Sequence, residues 1–263
     1  MFLLAYLALG AFAGVLAGLL GVGGGIIIVP VLTFLFTSQG LPAPYIAHLA
    51  LGTSLATIIF TSVSSLRAHH GRGAVEWRVV RRISAGIVVG TLAGSWVAAQ
   101  LSTRSLKVFF VAFLYYVAIQ MLLNIRPKPS RQLPGTGGMF GVGGIIGAVS
   151  SLVGIGGGSL SVPFMVWCNM SMHNAIGTSA AIGFPIALAG AVGYMANGLA
   201  AASLPPWSVG FVYLPALAGI ALASVATAPL GARLAHSLPV SGLKKIFALL
   251  LIVMGTKLLS GLL

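Results

Sequence analysis

Apolar residues run through the chain in long stretches, and polar residues are concentrated in the short segments between them. Each stretch approaches the roughly 20 helical residues needed to cross a hydrocarbon core of about 30 Å. Strand-like alternation is absent, so helices are expected. The eight predicted membrane helices cover residues 2–20, 45–66, 83–101, 106–124, 137–153, 174–195, 208–230 and 243–262. The pattern predicts an all-α polytopic membrane protein.

Composition supports the membrane setting and restricts the substrate. Of 263 residues, 58% are hydrophobic and 6% are charged, which no water-soluble domain of this length could keep dispersed. The chain has 14 lysines and arginines but one acidic residue, Glu76. A cation site built from carboxylates is therefore excluded. The one cysteine, Cys168, allows neither an internal disulfide nor a cysteine metal cluster, and we expect no metal and no cofactor.

Three sequence matches recur in the same order in the two halves of the chain. They pair GLLGVGGGIIIVP at 18–30 with SLVGIGGGSLSVP at 151–163, HLALGTSLA at 48–56 with HNAIGTSAA at 173–181, and LKVFF at 106–110 with LKKIF at 243–247. We interpret them as a tandem duplication, with one membrane repeat over 1–125 and the other over 137–263. Residues 126–136, rich in proline, glycine and cations, are predicted to form a cytoplasmic linker.

The positions of the cations predict that the repeats are inverted. The loop at 67–82 holds five arginines, whereas its counterpart at 196–206 holds no charge. The positive-inside rule places loop 67–82 and the linker in the cytoplasm, so equivalent loops face opposite sides. Arg104 and Lys107 then fall outside, as minor violations of the rule. Each repeat is predicted to contain a Gly-rich broken helix or hairpin plus three transmembrane helices, with both chain termini outside.

The glycine-rich segments predict two short helices that begin inside the membrane. The apolar segments after them, 26–37 and 159–168, are too short to cross a bilayer. A helix N-terminus offers free N–H groups and the positive end of the helix dipole, and glycine lets a ligand approach the backbone. The predicted small-anion site comprises Gly23, Gly24, Gly25, Gly156, Gly157, Gly158 and Ser159. The alternative is that these glycines only form a close-packing seam between helices.

Hydroxyl and imidazole side chains recur at equivalent positions after each break. The candidate substrate-binding hydroxyls are Thr53, Ser54, Thr178 and Ser179. Their alternative role is a hydrogen bond to a carbonyl one turn back. His48 and His173 would occupy opposite vestibules, where they could attract an anion or carry a coupled proton. Their alternative role is helix capping or an interfacial position. His69, beside the basic loop, is expected to be solvated.

The paired G-x-G-G-G…V-P segments, the helices that open with His and carry Gly-Thr-Ser, and the Leu-Lys…Phe helices resemble the TauE/SafE family of sulfite exporters, in the 4-toluene sulfonate uptake permease superfamily. The resemblance covers both halves. It implies a secondary carrier of a small sulfur-containing anion, such as sulfite or an organosulfonate, in a bacterial or archaeal inner membrane. It leaves the exact substrate open, since similar members carry different sulfur anions.

Two functions remain open from the sequence. One is an alternating-access carrier, and the other is an anion-selective channel of the same architecture. Pro30, Pro163 and Pro185, together with the glycine breaks, suit moving helices and favour the carrier. An enzyme is not expected, because no nucleophile, base and orienting acid can be assembled. The expected partners are the anion and the lipid bilayer, with no nucleic acid, and the oligomeric state stays open.

Overall fold

A computed structural model describes residues 2–20, 24–123, 130–237 and 240–261 of the chain, with side chains except at 20 and 235–246. The helices are α1 (Phe2–Leu20), α2 (Gly25–Ser38), α3 (Ile46–His70), α4 (Trp77–Gln100), α5 (Thr103–Leu122), α6 (Thr136–Val153), α7 (Gly158–Trp167), α8 (Met172–Gly198), α9 (Leu214–Ser237) and α10 (Val240–Ser260). A 3-10 turn at Ala43–Tyr45 precedes α3. The all-α fold class is confirmed.

Seven helices within the described residues are long and apolar enough to cross a membrane. Three apolar helical segments are shorter, namely Gly25–Ser38, Gly158–Trp167 and Phe247–Ser260, the last being the part of α10 whose side chains are described. The first two are α2 and α7, which follow the glycine-rich segments. The chain is therefore a multi-pass membrane protein with two helices too short to span the bilayer.

One predicted helix begins later than expected. Ser208–Val209 (β1) and Val212–Tyr213 (β2) form a small antiparallel hairpin, and α9 starts only at Leu214. Gly210 has a φ of +53°, which lies outside the helical region and closes the turn between the strands. Hydropathy could not separate this hairpin from the helix, because Val209, Phe211 and Val212 are as apolar as helix residues.

The two central helices, α3 and α8, run antiparallel. Gly52 near the start of α3 lies against Tyr194 near the end of α8, and Ser62 further along α3 lies near Gly183. These are also the most buried of the seven candidate membrane spans, because 83% and 72% of their most apolar segments are buried inside the protein. Equivalent helices of the two halves thus cross the centre of the fold in opposite directions.

Glycine seams join two outer pairs of helices, α1 with α9 and α4 with α6. On α1 and α4, the glycines that contact the backbone of the partner helix are Gly10, Gly14, Gly18, Gly86, Gly90 and Gly94. A Cβ built on Gly18 would lie 2.0 Å from the carbonyl oxygen of Ala228, so a larger residue would separate α1 from α9. By the sequence matches, α6 corresponds to α1 and α9 to α4. The α1–α9 pair and the α4–α6 pair are therefore equivalent, because replacing each helix by its counterpart in the other half converts one pair into the other.

His69 is buried and not solvated, so that prediction was wrong. Its side chain is 1% exposed, and its Nε2 atom donates a hydrogen bond of 3.1 Å to the carbonyl oxygen of Gly18 in α1. The prediction relied on closeness to the arginines in sequence. The helix continues to His70, beyond the predicted end at residue 66, and the additional turn places His69 on the face that packs against α1.

Candidate functional site

The two short helices begin at glycines with the same backbone conformation. Gly24, the N-cap of α2, has φ 76° and ψ −13°, and Gly157, the N-cap of α7, has φ 76° and ψ −5°. A positive φ of this size strongly favours glycine. The Gly24 carbonyl accepts the N–H of Ile27 at 3.1 Å, and the Gly157 carbonyl accepts that of Leu160 at 3.0 Å. The short helix therefore starts with the same geometry in both halves. Gly23 lies outside the described residues.

Both helix N-termini lie beside the middle of a central helix. Gly25 packs against Ile58 of α3, and Gly157 packs against Ile186 of α8. With 14 and 10 residues, α2 and α7 are roughly 21 and 15 Å long, which is less than a hydrocarbon core. First-turn N–H groups have no acceptor within their own helix. At Gly25 and Ile26, and at Gly158 and Ser159, these donors are buried.

The first break and the second break touch each other. A Cβ built on Gly25 would lie 2.2 Å from the carbonyl oxygen of Gly154 and 3.0 Å from the Cα of Ile155. Gly154, with a φ of +70°, ends α6, and its carbonyl also accepts a hydrogen bond of 2.8 Å from Ser54 Oγ. The start of α2 and the break between α6 and α7 are therefore in direct contact, which requires glycine at position 25.

The two candidate threonines bind backbone of the opposite half. Thr53 Oγ1 accepts the N–H of Tyr213 at 2.9 Å, and Thr178 Oγ1 accepts the N–H of Glu76 at 3.0 Å. Both hydroxyls are fully buried. A Cβ added to the glycine that precedes either threonine would lie only 2.3 or 2.4 Å from a carbonyl oxygen of the loop that the threonine binds. The Gly-Thr pair of each central helix thus fixes the loop that precedes α9 or α4. This contact differs from the intrahelical bond considered above.

The serines of the two Gly-Thr-Ser segments have different surroundings. Ser54 donates to the Gly154 carbonyl, as described above. Ser179 accepts a hydrogen bond of 2.9 Å from Ser161 Oγ, which projects from the second turn of α7. Both serines therefore contact segments that adjoin a break. Their role toward a substrate stays a prediction.

Two buried hydroxyls beside the second break have no hydrogen-bond partner within the described part of the chain. They belong to Ser159, the second residue of α7, and Ser150, on α6. Ser159 is 6% exposed and Ser150 is fully buried, while a Cβ built on Gly157 would lie 3.3 Å from Ser150 Oγ. A buried hydroxyl without a partner costs roughly 1–3 kcal/mol, so a bound ligand that accepts from it would recover that energy.

Ser150 was not predicted from the sequence. A single serine in an apolar helix carries no signal of its own, and the residue at the equivalent position of the first half, 133 residues earlier, is Ala17. The comparison of the halves could have revealed it. Within the segment 150–161, the second half carries serine at four positions where the first half has Ala17, Gly18, Ile26 and Ile28.

Each short helix also contains a proline that removes a backbone hydrogen bond near its start. Pro30 in α2 has no N–H to donate to the carbonyl of Ile26, and Pro163 in α7 has none for the carbonyl of Ser159. Each short helix therefore has one backbone carbonyl in its first turn that lacks the usual donor four residues later.

The structure does not bring the two candidate histidines to the breaks. His48 is 4% exposed, its Nε2 atom donates to the carbonyl of Ala98 at 3.1 Å, and its ring lies 4.9 Å from that of Phe211. His173 is exposed near the start of α8. Because α3 and α8 run antiparallel, the two residues lie at opposite ends of the central helices. Their role in gating or proton coupling stays a prediction.

A groove of about 450 Å³ leads from the surface toward the breaks, between α2, α5 and α10. Its lining includes Thr33, Lys107 and Lys257. Thr33 and Lys107 also line a narrow cavity of about 10 Å³ that reaches Val29 and Leu51, and both of these pack against Gly154. Lys107 thus lies where the groove narrows toward the contact between the breaks.

Comparison with known proteins identifies the family of the chain. A family model described as "Sulfite exporter TauE/SafE" matches residues 6–258. A "Probable membrane transporter protein" of Haemophilus influenzae is 38% identical over 96% of each chain. The "Probable membrane transporter protein MJ0441" of Methanocaldococcus jannaschii is 25% identical over 94% of this chain and 91% of its own. No solved structure matches. The chain therefore belongs to the sulfite exporter TauE/SafE family and is a multi-pass membrane transporter.

Proposed function

We propose that this protein is a secondary carrier of a small sulfur-containing oxyanion, sulfite or an organosulfonate, and that the anion binds at the N-termini of α2 and α7. The observation that carries the proposal is the pair of matching glycines, Gly24 and Gly157, each of which starts a short helix whose first residues are buried beside the middle of a central helix. The description of the family supports the substrate class.

The chemistry of this site fits an oxyanion. First-turn N–H groups and the positive ends of two helix dipoles favour negative charge. The partnerless hydroxyls of Ser150 and Ser159 add two O–H donors. The chain supplies no carboxylate that could compete, because its one acidic residue, Glu76, is exposed at the start of α4. The binding groups are therefore mainly neutral dipoles, which can bind and release a desolvated anion.

We further propose that residues 1–125 and 137–263 form inverted repeats joined by a linker at 126–136. The antiparallel course of α3 and α8 supports this arrangement, since these helices carry the same Gly-Thr-Ser motif. The reciprocal contacts of Thr53 and Thr178 support it too, because each binds the loop before the fourth helix of the other half. The halves would then rock against each other around the breaks.

A carrier accounts for the structure better than a channel does. The residues at both short-helix N-termini are buried from either side, as expected when a carrier holds its site occluded, whereas a conducting channel needs a continuous path. The groove at Lys107 would be the entrance on the outer side, where its cation attracts anions. An anion-selective channel of the same architecture is the alternative. We propose no enzymatic activity, because the chemistry of the site is confined to binding.

Counterflow in proteoliposomes tests the proposal. Vesicles loaded with unlabelled anion should transiently accumulate labelled anion above its external concentration, and the uptake should saturate. Sulfite, thiosulfate, sulfoacetate and taurine should be compared, with empty liposomes as the control. Uptake that follows the membrane potential and shows neither saturation nor counterflow would indicate a channel. The absence of any anion flux would contradict both functions.

A further inference from the structure

A second groove, which we call the arginine groove, lies between the C-terminal half of α3 and α9 and encloses about 850 Å³. Arg67, Arg72 and Arg233 line one end of it, and Phe60, Val63 and Val225 line the rest. We propose that it binds an anionic phospholipid, with the phosphate among the arginines and an acyl chain along the apolar residues. This inference concerns a different face of the protein and is independent of the transported anion.

The groove is charged at one end and apolar along the rest, as a phospholipid is. Arg67 lies in the last turn of α3 and Arg72 just beyond its end, whereas Phe60 lies two turns further into the membrane, about 10 Å from Arg67. Phe60 is 48% exposed and Val225 is 40% exposed, so hydrocarbon can reach both. Charge at the membrane surface and apolar surface below it match a headgroup followed by its chain.

The end of the groove at which the three arginines meet is strongly positive. Arg72 donates a hydrogen bond of 2.6 Å to the carbonyl oxygen of Ala232, which holds its guanidinium beside the residue that precedes Arg233. Among the described residues that line the groove, none is acidic. Clustered guanidinium groups repel one another, and a phosphate bound between them would remove that repulsion through charge-assisted hydrogen bonds.

Hydrogen bonds between α3 and α9 fix the walls of the groove. Pro229 has no N–H to donate to the carbonyl of Val225, and Ser64 Oγ of α3 donates to that carbonyl at 2.9 Å. Deeper in the membrane, the hydroxyls of Thr61 and Ser224 are hydrogen-bonded at 2.7 Å. The groove is therefore formed before any ligand binds, which limits the entropy lost on binding.

The length of the apolar part favours a phospholipid over a soluble anion. A small oxyanion would contact only the arginines and would leave Phe60, Val63 and Val225 without a partner. A phospholipid uses both ends of the groove. Basic grooves between membrane helices at the cytoplasmic surface are suited to anionic headgroups, and the positive-inside rule places Arg67 and Arg72 on that side.

Lipid retention through purification tests the proposal. The protein is purified from membranes that contain phosphatidylglycerol, and bound lipid is counted by native mass spectrometry. The double variant Arg67→Gln with Arg233→Gln should retain about tenfold less phosphatidylglycerol, because two of the three guanidinium groups that would bind the phosphate in the groove are lost. The matched control, Arg78→Gln with Arg81→Gln, removes two exposed arginines of α4 that lie outside the groove. It should retain lipid like the wild type, as should Arg67→Lys with Arg233→Lys.

Thermal stability in detergent gives a second readout that separates the possible ligands. Phosphatidylglycerol should raise the unfolding temperature of the wild type, whereas phosphatidylcholine and inorganic phosphate should have little effect. Equal stabilisation by phosphatidylcholine would show that the negative charge of the lipid headgroup does not contribute to binding. Equal stabilisation by inorganic phosphate would show that the groove binds soluble anions. Equal lipid retention by the groove variant and the α4 control would also overturn the proposal.

Discussion

The two short helices share their backbone geometry and differ in the side chains they present. After the N-cap glycine, α2 reads Gly-Ile-Ile-Ile, whereas α7 reads Gly-Ser-Leu-Ser. Ser150 and Ser159 beside α7 have partnerless hydroxyls, and their counterparts Ala17 and Ile26 have no polar side-chain atoms. The two halves thus share the helix start and differ in the hydrogen-bonding groups beside it. We infer that the first half contributes mainly backbone and packing, and that the second contributes most of the specific contacts.

The substitution Gly25→Ala should have the largest effect on stability, because it acts where the two breaks touch. The added methyl would lie 2.2 Å from the Gly154 carbonyl oxygen, and backbone on both sides must shift. Overpacking of this kind costs about 1–3 kcal/mol or more in the free energy of unfolding. Thermal unfolding in detergent and proteoliposome transport should both show the loss.

The control for this variant is Gly144→Ala in α6, where the nearest atom to the added Cβ lies 3.8 Å away. A Gly25→Ala protein as stable and active as this control would show that the breaks do not need to touch.

Gly24→Ala and Gly157→Ala should separate stability from binding. Both place alanine at a φ of 76°, which costs on the order of 1 kcal/mol or more. The methyl at Gly24 meets the Ala13 carbonyl oxygen at 2.8 Å, whereas the methyl at Gly157 meets the mobile end of Ile186 at 2.4 Å. Gly24→Ala should therefore lose more thermal stability, and Gly157→Ala should lose more of the stabilisation by substrate.

If both variants retain the wild-type increment in unfolding temperature on adding substrate, the glycines form only a packing seam. The reverse order of the two effects would contradict the inferred division between the halves.

The variants Thr53→Val and Thr178→Val should cost about 1 kcal/mol each, because a backbone N–H loses its acceptor. The loss should be larger for Thr53, since Tyr213 is half-buried, whereas Glu76 is exposed and its N–H can bind water. Comparing each variant with the corresponding Thr→Ser protein, which keeps the hydroxyl, isolates the hydrogen bond. The double Thr→Val variant should also bind substrate more weakly if the hydroxyl protons face the anion. Unchanged apparent affinity would restrict both residues to holding the loops.

Local patterns in the sequence were enough to predict most of the helices and the position of the breaks. Hydropathy over some twenty residues identifies a membrane helix, and a glycine before a short apolar run identifies a helix that begins inside the membrane. Gly24 and Gly157 were predicted in this way, and both have the positive φ that such a start requires.

Contacts between distant residues could not be predicted from local patterns. Thr53 binds a residue 160 positions away, and Ser54 binds one 100 positions away. The burial of His69 likewise depends on α1, which packs against it from the other end of the first half. Such partners become visible only when the fold is known, because neither the spacing nor the composition around Thr53 or His69 encodes the partner.

The most direct test of the anion site is the effect of substrate on the thermal stability of Ser159→Ala. The hydroxyl of Ser159 has no partner in the described structure, so its removal should leave the starting unfolding temperature unchanged or slightly raised. The anion that gives counterflow is then added at about 100 times its Kd. The free energy of unfolding of the wild type should rise by roughly 2.7 kcal/mol, and that of Ser159→Ala should rise much less. The control Ser161→Ala, which breaks the bond to Ser179, should start less stable and gain as much as the wild type. A Ser159→Ala protein that gains as much as the wild type would contradict the binding of the anion at the start of α7.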